Sequence, residues 1–119
     1  MRIVLLASAL LALVLGGAAL AAGPRAQAHA TDGTLSGSVG PGFTISMSTA
    51  RVAPGAYEIT ISDTSDLHNF HLVGPGVDLA TSIEGTGKTT WNVTLQAGTY
   101  RFRCDAHAAQ MTGQLVVGS

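Results

Sequence analysis

Cys104, His107 and Met111 form the part of the sequence best suited to chemistry. Two residues separate the cysteine from the histidine, and three separate the histidine from the methionine. A thiolate, an imidazole and a thioether on one short loop can meet around a single metal ion. His68 and His71 lie upstream, and either could add a second imidazole. Three close ligands with one weak thioether suit copper, so the pattern predicts a mononuclear copper site.

The first 30 residues have the composition of a secretory signal peptide. Arg2 precedes an uncharged apolar run, and small residues suited to cleavage follow that run. We predict that residues 1–30 are removed, with cleavage near Ala28 or Ala30, and that the protein is exported to the periplasm or the extracellular space. If it were left uncleaved, the run would be long enough to act as an N-terminal membrane anchor.

Cys104 is the only cysteine of this exported chain, so it has no internal disulfide partner. An unpaired cysteine outside the cytosol calls for burial, an intermolecular bond or a metal. Taken singly, Cys104, His107 and Met111 would each be ordinary buried or loop residues. Together they favour a metal. Zinc is the alternative to copper because one cysteine and two histidines can hold it, but a thioether adds little to a zinc site.

Beyond residue 30 the sequence predicts strands. Apolar residues alternate with polar ones in runs that begin at Phe43, Tyr57, Trp91 and Tyr100, and turns rich in glycine and proline separate these runs. The large apolar residues of each run are expected to share one face of their strand. The spacing predicts an all-β fold, an antiparallel Greek-key β-sandwich or barrel of about seven or eight strands, in one domain over residues 31–119. The least patterned stretch, residues 78–88, is expected to be a surface excursion.

Strand alternation assigns the two upstream histidines to opposite faces of a strand. It places His68 on one face with Phe70 and Leu72, and His71 on the other face. The two apolar residues must be buried, so His68 is expected to share the core face with Cys104. His71 is then expected on the outer surface of the sheet. A bulge of one residue would reverse this assignment.

Composition excludes several classes of function. The chain has six basic and seven acidic residues, with a net charge of −1 and no basic stripe, which argues against nucleic-acid binding. A single small domain leaves no room for a large cleft, and no small-molecule substrate is expected. The four histidines contain no His-x-His pair that could build further copper centres. We therefore expect a protein that is not an enzyme.

Around these residues the chain resembles the cupredoxins, the blue-copper proteins of the plastocyanin and azurin type. The segment LQAGTYRFRCDAH, residues 95–107, is similar to the family's tyrosine-corner strand and its cysteine ligand. The segment MTGQLVV, residues 111–117, is similar to the axial methionine and the closing strand. His68-Asn69 resembles the His-Asn pair of the first ligand strand. The resemblance extends over roughly residues 43–117.

The resemblance implies a cupredoxin-like domain with one copper ion. The implied metal ligands are His68, Cys104, His107 and Met111. By the same analogy, Asn69 would form a hydrogen bond across to the cysteine loop and orient it.

These observations predict an exported monomer that carries one electron between transient redox protein partners. His107 would be the exit for the electron, because its small neighbours Ala106, Ala108 and Ala109 let a partner approach. Two alternatives stay open: a copper sequestration or delivery protein with a similar site, and a metal-free structural β-sandwich module. Contact with a membrane is expected only if the N-terminal segment is uncleaved.

Overall fold

A computed structural model describes residues 31–118, which form nine strands and one short 3₁₀ helix. The strands are β1 (Gly33–Val39), β2 (Ile45–Met47), β3 (Arg51–Val52), β4 (Gly55–Asp63), β5 (His71–Gly74), β6 (Val77–Ala80), β7 (Gly87–Leu95), β8 (Gly98–Arg103) and β9 (Thr112–Val117), and the 3₁₀ helix is Asp105–His107. The predicted signal peptide lies outside the described residues. Within residues 31–118, no helix is long and apolar enough to cross a membrane.

The strands form two sheets, which confirms the predicted all-β sandwich. One sheet has the order β2-β1-β4-β7, and the other has the order β3-β9-β8-β5-β6. The pairs β1–β4 and β3–β9 are parallel, whereas the other pairings are antiparallel. Residue alternation reports which face of a strand is buried but not the direction of its partner. The two parallel pairs therefore refine the antiparallel prediction.

The core lies between the sheets and follows the alternation of the sequence. In β8, Tyr100 and Phe102 are buried while Thr99 and Arg101 are exposed. The other buried apolar side chains continue this layer and are Leu35, Val39, Tyr57, Ile59, Ile61, Phe70, Leu72, Val77, Leu95, Cys104, Met111, Leu115 and Val117. Cys104, directly after β8, and Met111, directly before β9, are thus part of the apolar core.

A tyrosine corner fixes the start of β8. The Tyr100 hydroxyl accepts a hydrogen bond from the Gln96 N–H and lies 3.0 Å from the carbonyl oxygens of both Gln96 and Pro75. Gly74 makes this possible, because a Cβ atom at that position would collide with the Tyr100 ring. The corner fixes the strand that leads to Cys104 against the loops that contain Pro75 and Gln96.

Trp91 and Val93 share one face of β7 with Leu95, as predicted, and pack against the core, although they are only half-buried because β7 lies at the edge of its sheet. Two other local predictions are wrong. Phe43 does not share a strand face with Ile45 and Met47, because it lies in the β1–β2 loop and is 61% exposed. The predicted surface excursion, residues 78–88, overlaps β6 at its start and β7 at its end. Only the residues between these two strands lack strand structure.

We expect Tyr100→Phe to lower the free energy of unfolding by about 1–3 kcal/mol, because it leaves the Gln96 N–H without its partner. Urea denaturation measures the change. Tyr57→Phe is the matched comparison, since the Tyr57 hydroxyl makes one bond, to the Ala53 carbonyl at 2.6 Å. A Tyr100→Phe change no larger than that of Tyr57→Phe would contradict the role given to the corner.

Candidate metal centre

The loop after β8 carries Cys104, His107 and Met111, and it is closed by its own backbone. The Cys104 N–H donates to the Met111 carbonyl at 3.0 Å, which joins the two ends of the loop. Inside the loop the His107 N–H donates to the Cys104 carbonyl at 3.2 Å, and the Met111 N–H donates to the His107 carbonyl at 2.9 Å. Main-chain hydrogen bonds therefore hold the backbone positions of these three residues relative to one another.

His68 comes from the segment between β4 and β5, and Asn69 ties that segment to the cysteine loop. The Asn69 side-chain oxygen accepts the Asp105 N–H at 2.8 Å, and its amide group donates to the Asp105 carboxylate at 3.0 Å. The same amide group lies 3.2 Å from the Thr81 carbonyl. Asn69 is buried, so these bonds compete little with water.

The potential ligand atoms of His68, Cys104 and His107 converge, and all lie within 4.8 Å of one another. The Cys104 Sγ atom is 3.8 Å from the Nδ1 atom of His68 and 3.7 Å from that of His107. The two Nδ1 atoms are 3.0 Å apart. Cys104 is fully buried and His68 is 4% exposed, whereas His107 is half-buried. The cluster can hold a metal ion at one end of the sandwich, shielded on its inner side.

These distances test whether a metal fits. With bonds of about 2.0 Å to nitrogen and about 2.3 Å to sulfur, tetrahedral angles separate sulfur from nitrogen by about 3.5 Å and trigonal angles by about 3.7 Å. The sulfur–nitrogen distances of 3.7 and 3.8 Å are close to the trigonal value. The nitrogen atoms would have to separate by about 0.3 Å for tetrahedral angles, or by about 0.5 Å for trigonal angles, to share a metal. The three donors therefore fit one metal ion after a small shift of the imidazoles, and the thiolate among them favours a soft ion such as copper.

Met111 is fully buried at the base of the loop, with its backbone bonded to Cys104. It lies in the apolar cluster that also contains Cys104 and Phe102. A buried thioether on the same loop as Cys104 and His107 has the chemistry of a weak fourth ligand. Its role as an axial ligand stays a prediction.

Asp105 is a charged residue beside the site that accepts hydrogen bonds from several neighbours. Partial burial acts to raise its pKa, but hydrogen bonds from Asn69, His71 and Arg103 outweigh this effect and hold the pKa at about 2. The Arg103 Nε atom lies 3.0 Å from the carboxylate. Asp105 is therefore a carboxylate at any pH of physiological interest, and it holds three neighbouring side chains at the edge of the loop.

His71 lies on the outer face of the sheet, as alternation predicted, and it is not one of the three converging donors. Its Nδ1 atom is 2.8 Å from Asp105, and its Nε2 atom is 2.6 Å from Asp78. The side chain is 17% exposed. Burial acts to lower the pKa of His71, but the two carboxylates outweigh it, so the pKa is raised above its ordinary value. The histidine bridges β6 to the cysteine loop.

The structure brings together the donor atoms of three of the four predicted ligands, which are His68, Cys104 and His107. The fourth predicted ligand, Met111, is buried. Asn69 does bond to the cysteine loop. Sequence reasoning missed two neighbours of the site, Asp105 and Phe43. Asp105 follows the cysteine directly, which was the available signal. Phe43 contacts both imidazole rings from a distant loop, and no local spacing points to it.

No protein-family model and no curated protein matches this chain. Solved structures do match, each over 71% of this chain. Rusticyanin from Thiobacillus ferrooxidans has 21% identity and a TM-score of 0.54, with 75% of that chain covered. A structure of reduced rusticyanin has 21% identity and a TM-score of 0.54, with 77% covered. Auracyanin A, a blue copper protein from Chloroflexus aurantiacus, has 19% identity, a TM-score of 0.46 and 98% covered.

The likeness to rusticyanin, at this level of identity, shows the fold. The chain has the cupredoxin fold, a sandwich of two sheets, in agreement with the resemblance read from the sequence.

The raised pKa of His71 predicts how stability depends on pH. A raised folded-state pKa means that the stabilisation from His71 is complete below the unfolded value of about 6.5 and is lost as pH rises through the folded value. Asp105, with a pKa of about 2, keeps its charge throughout this window. The free energy of unfolding of the metal-free protein should therefore fall as pH rises above about 6.5.

Urea denaturation between about pH 5 and pH 9 measures this dependence. In His71→Gln the part of the slope due to His71 should disappear. Parallel pH profiles for the parent and the variant would contradict the prediction.

Proposed function

We propose that the protein is an exported mononuclear blue-copper protein that carries one electron between redox partners. The observation that supports this most directly is the convergence of the Cys104 sulfur with the Nδ1 atoms of His68 and His107, which lie 3.8 and 3.7 Å from it. A thiolate, two imidazoles and a weak thioether are the donors of electron-transfer copper sites, and Met111 offers a buried thioether on the cysteine loop. The proteins of similar fold include rusticyanin, which is a copper protein.

Copper, when bound, supplies a one-electron couple between Cu(I) and Cu(II). Cys104 would supply the thiolate, His68 and His107 the two imidazoles, and Met111 a weak thioether donor. The main-chain bonds that close the loop and the Asn69 bonds to Asp105 hold the donors in place before any metal arrives. A site of this rigidity moves little when the charge of its ion changes, which is what an electron carrier requires.

His107 is the ligand nearest to solvent, because it is half-buried and its neighbours Ala106, Ala108 and Ala109 are exposed. We infer that the electron leaves and enters here, through brief contacts with other redox proteins. The predicted leader supports export to the periplasm or the extracellular space, and the domain is proposed to act as a monomer. Within residues 31–118 this is the one cluster of metal-binding type, which supports a carrier rather than an oxidase with several copper centres.

The decisive experiment adds Cu(II) to the metal-free protein and records its visible spectrum. We expect an intense thiolate-to-copper absorption at one copper per chain, and no such band in Cys104→Ser, because a hydroxyl is a far poorer donor than a thiolate. His68→Ala should lose or weaken the band. His71→Ala is the matched control and should keep it, since His71 bonds to Asp105 and Asp78 and not to the three donors.

Two results would contradict the proposal. A protein that binds zinc in a colourless 1:1 complex and forms no coloured copper adduct would be a zinc protein. A Cys104 thiol that reacts freely in the folded protein, with no copper bound, would favour a structural module. Reversible redox cycling separates a carrier from a delivery protein, which would lose its copper irreversibly on reduction.

Met111→Leu tests the axial ligand. The variant should bind copper and keep its colour, while its reduction potential rises because the weak donor to Cu(II) is lost. Leucine has a similar volume, so the core should be disturbed little. Voltammetry of the parent and the variant measures the shift. An unchanged potential would mean that Met111 only fills the core.

A further inference from the structure

Phe43 is the one large aromatic side chain that the structure leaves mostly in solvent within residues 31–118. Its exposed fraction is 61%, although aromatic residues are normally buried. The ring nevertheless makes two specific contacts. Its centroid is 4.9 Å from that of His107, with the planes at 86°, and 5.3 Å from that of His68, with the planes at 55°.

The three rings form a mutual contact, since the centroids of His68 and His107 are themselves 4.7 Å apart at 74°. Tilted and edge-to-face arrangements at such distances are the favourable geometries for aromatic pairs. Phe43 therefore packs against both imidazoles at once, from the solvent side. Cys104, which lies behind the imidazoles, is fully buried.

The β1–β2 loop is built to present Phe43 in this place. The Gly40 N–H donates to the Thr44 carbonyl at 2.8 Å, and the Thr44 hydroxyl donates to the Pro41 carbonyl at 2.9 Å. Gly40 and Gly42 have φ values of 73° and 66°, which side chains of L residues rarely adopt. Phe43 thus stands on a closed loop with a defined backbone.

The same loop is attached to the segment that leads to His68. A Cβ atom at Gly40 would lie 2.8 Å from the Thr64 hydroxyl and 3.1 Å from the Ser65 Cβ atom, so the loop touches that segment closely. The Thr64 N–H donates to the Val39 carbonyl at 3.1 Å at the base of the loop. Phe43 and His68 are therefore positioned by one set of contacts.

We propose that Phe43 is a positioning residue of the metal centre, which holds the imidazoles of His68 and His107 in their mutual orientation and closes the approach to Cys104 from solvent. The loop 40–44 then acts as a third part of the site, beside the His68 segment and the cysteine loop. The consequence for copper rests on the proposed function, whereas the shielding of the thiol applies to the metal-free protein as well.

The experiment compares Phe43→Ala with Leu67→Ala. Leu67 is the matched control, because it is 66% exposed, precedes His68 directly and makes none of the ring contacts. In the metal-free proteins, the rate at which Cys104 reacts with an aromatic disulfide reagent should rise about tenfold in Phe43→Ala and stay near the parent value in Leu67→Ala, because only the first change opens the approach to the sulfur.

The copper-loaded proteins give the second measurement. Loss of copper to a chelator should be about tenfold faster in Phe43→Ala, with an altered visible spectrum from the reoriented imidazoles. Phe43→Tyr should restore the parent values of both rates, since it keeps the ring. Circular dichroism checks that each variant is folded, and the exposed position of Phe43 makes a folding defect unexpected.

Equal thiol reactivity in the parent, Phe43→Ala and Leu67→Ala would overturn the proposal, as would failure of Phe43→Tyr to restore protection. If the parent formed no coloured copper adduct, the proposed function would fail, but the thiol rates of the metal-free proteins would still decide the role of Phe43.

Discussion

The hydrogen bonds between Asn69 and Asp105 hold together the two segments on which the metal-binding side chains lie. In the β5–β8 ladder, His71 is paired with Arg103. If this antiparallel register is continued past the ends of both strands, Asn69 falls opposite Asp105. The Asn69 side chain bonds to the Asp105 backbone and carboxylate there, where the ladder itself has stopped. His68 can thus stay near Cys104 although neither residue lies within a strand.

Asp105 gives that junction its electrostatic strength. A carboxylate that accepts several hydrogen bonds is held in its charged form, and bonds to a charged acceptor are stronger than bonds between neutral groups. The same carboxylate is bonded to Asn69, His71 and Arg103, so it joins β5, β8 and, through His71, β6. The outer surface of the sheet is therefore coupled to the metal-binding loop, and His71 supports the site without being one of the converging donors.

Sequence reasoning predicted the parts of the site that are local in the chain. Cys104, His107 and Met111 lie within eight consecutive positions, and their spacing alone indicated shared chemistry. His68 was selected by alternation, although the reason was incomplete: β5 begins only at His71, and His68, Asn69 and Phe70 are all buried together. In the fold, the alternating cores of β4 and β8 were predictable, whereas the parallel pairing of β1 with β4 depends on contacts between distant segments.

Phe43 shows why the rest could not be predicted. Alternation treated it as the first member of a strand with Ile45 and Met47, but β2 begins at Ile45 and the glycines before it turn the chain. Its contacts are with residues 25 and 64 positions away, and no period within one segment encodes such a contact. Only the three-dimensional structure relates an exposed loop aromatic to a pair of histidines.

The two sulfur residues explain how the site can be built without weakening the fold. Cys104 and Met111 are both fully buried members of the apolar core, and as such they pack like other hydrophobic side chains. The Nδ1 atoms of His68 and His107 lie 3.0 Å apart, within hydrogen-bond distance of each other. The two sulfur atoms therefore belong to the core, while the two imidazoles lie where the core meets solvent at one end of the sandwich. Binding of an ion would add stability to the folded domain by mass action, and the main-chain hydrogen bonds that close the loop would hold the donors in place around it.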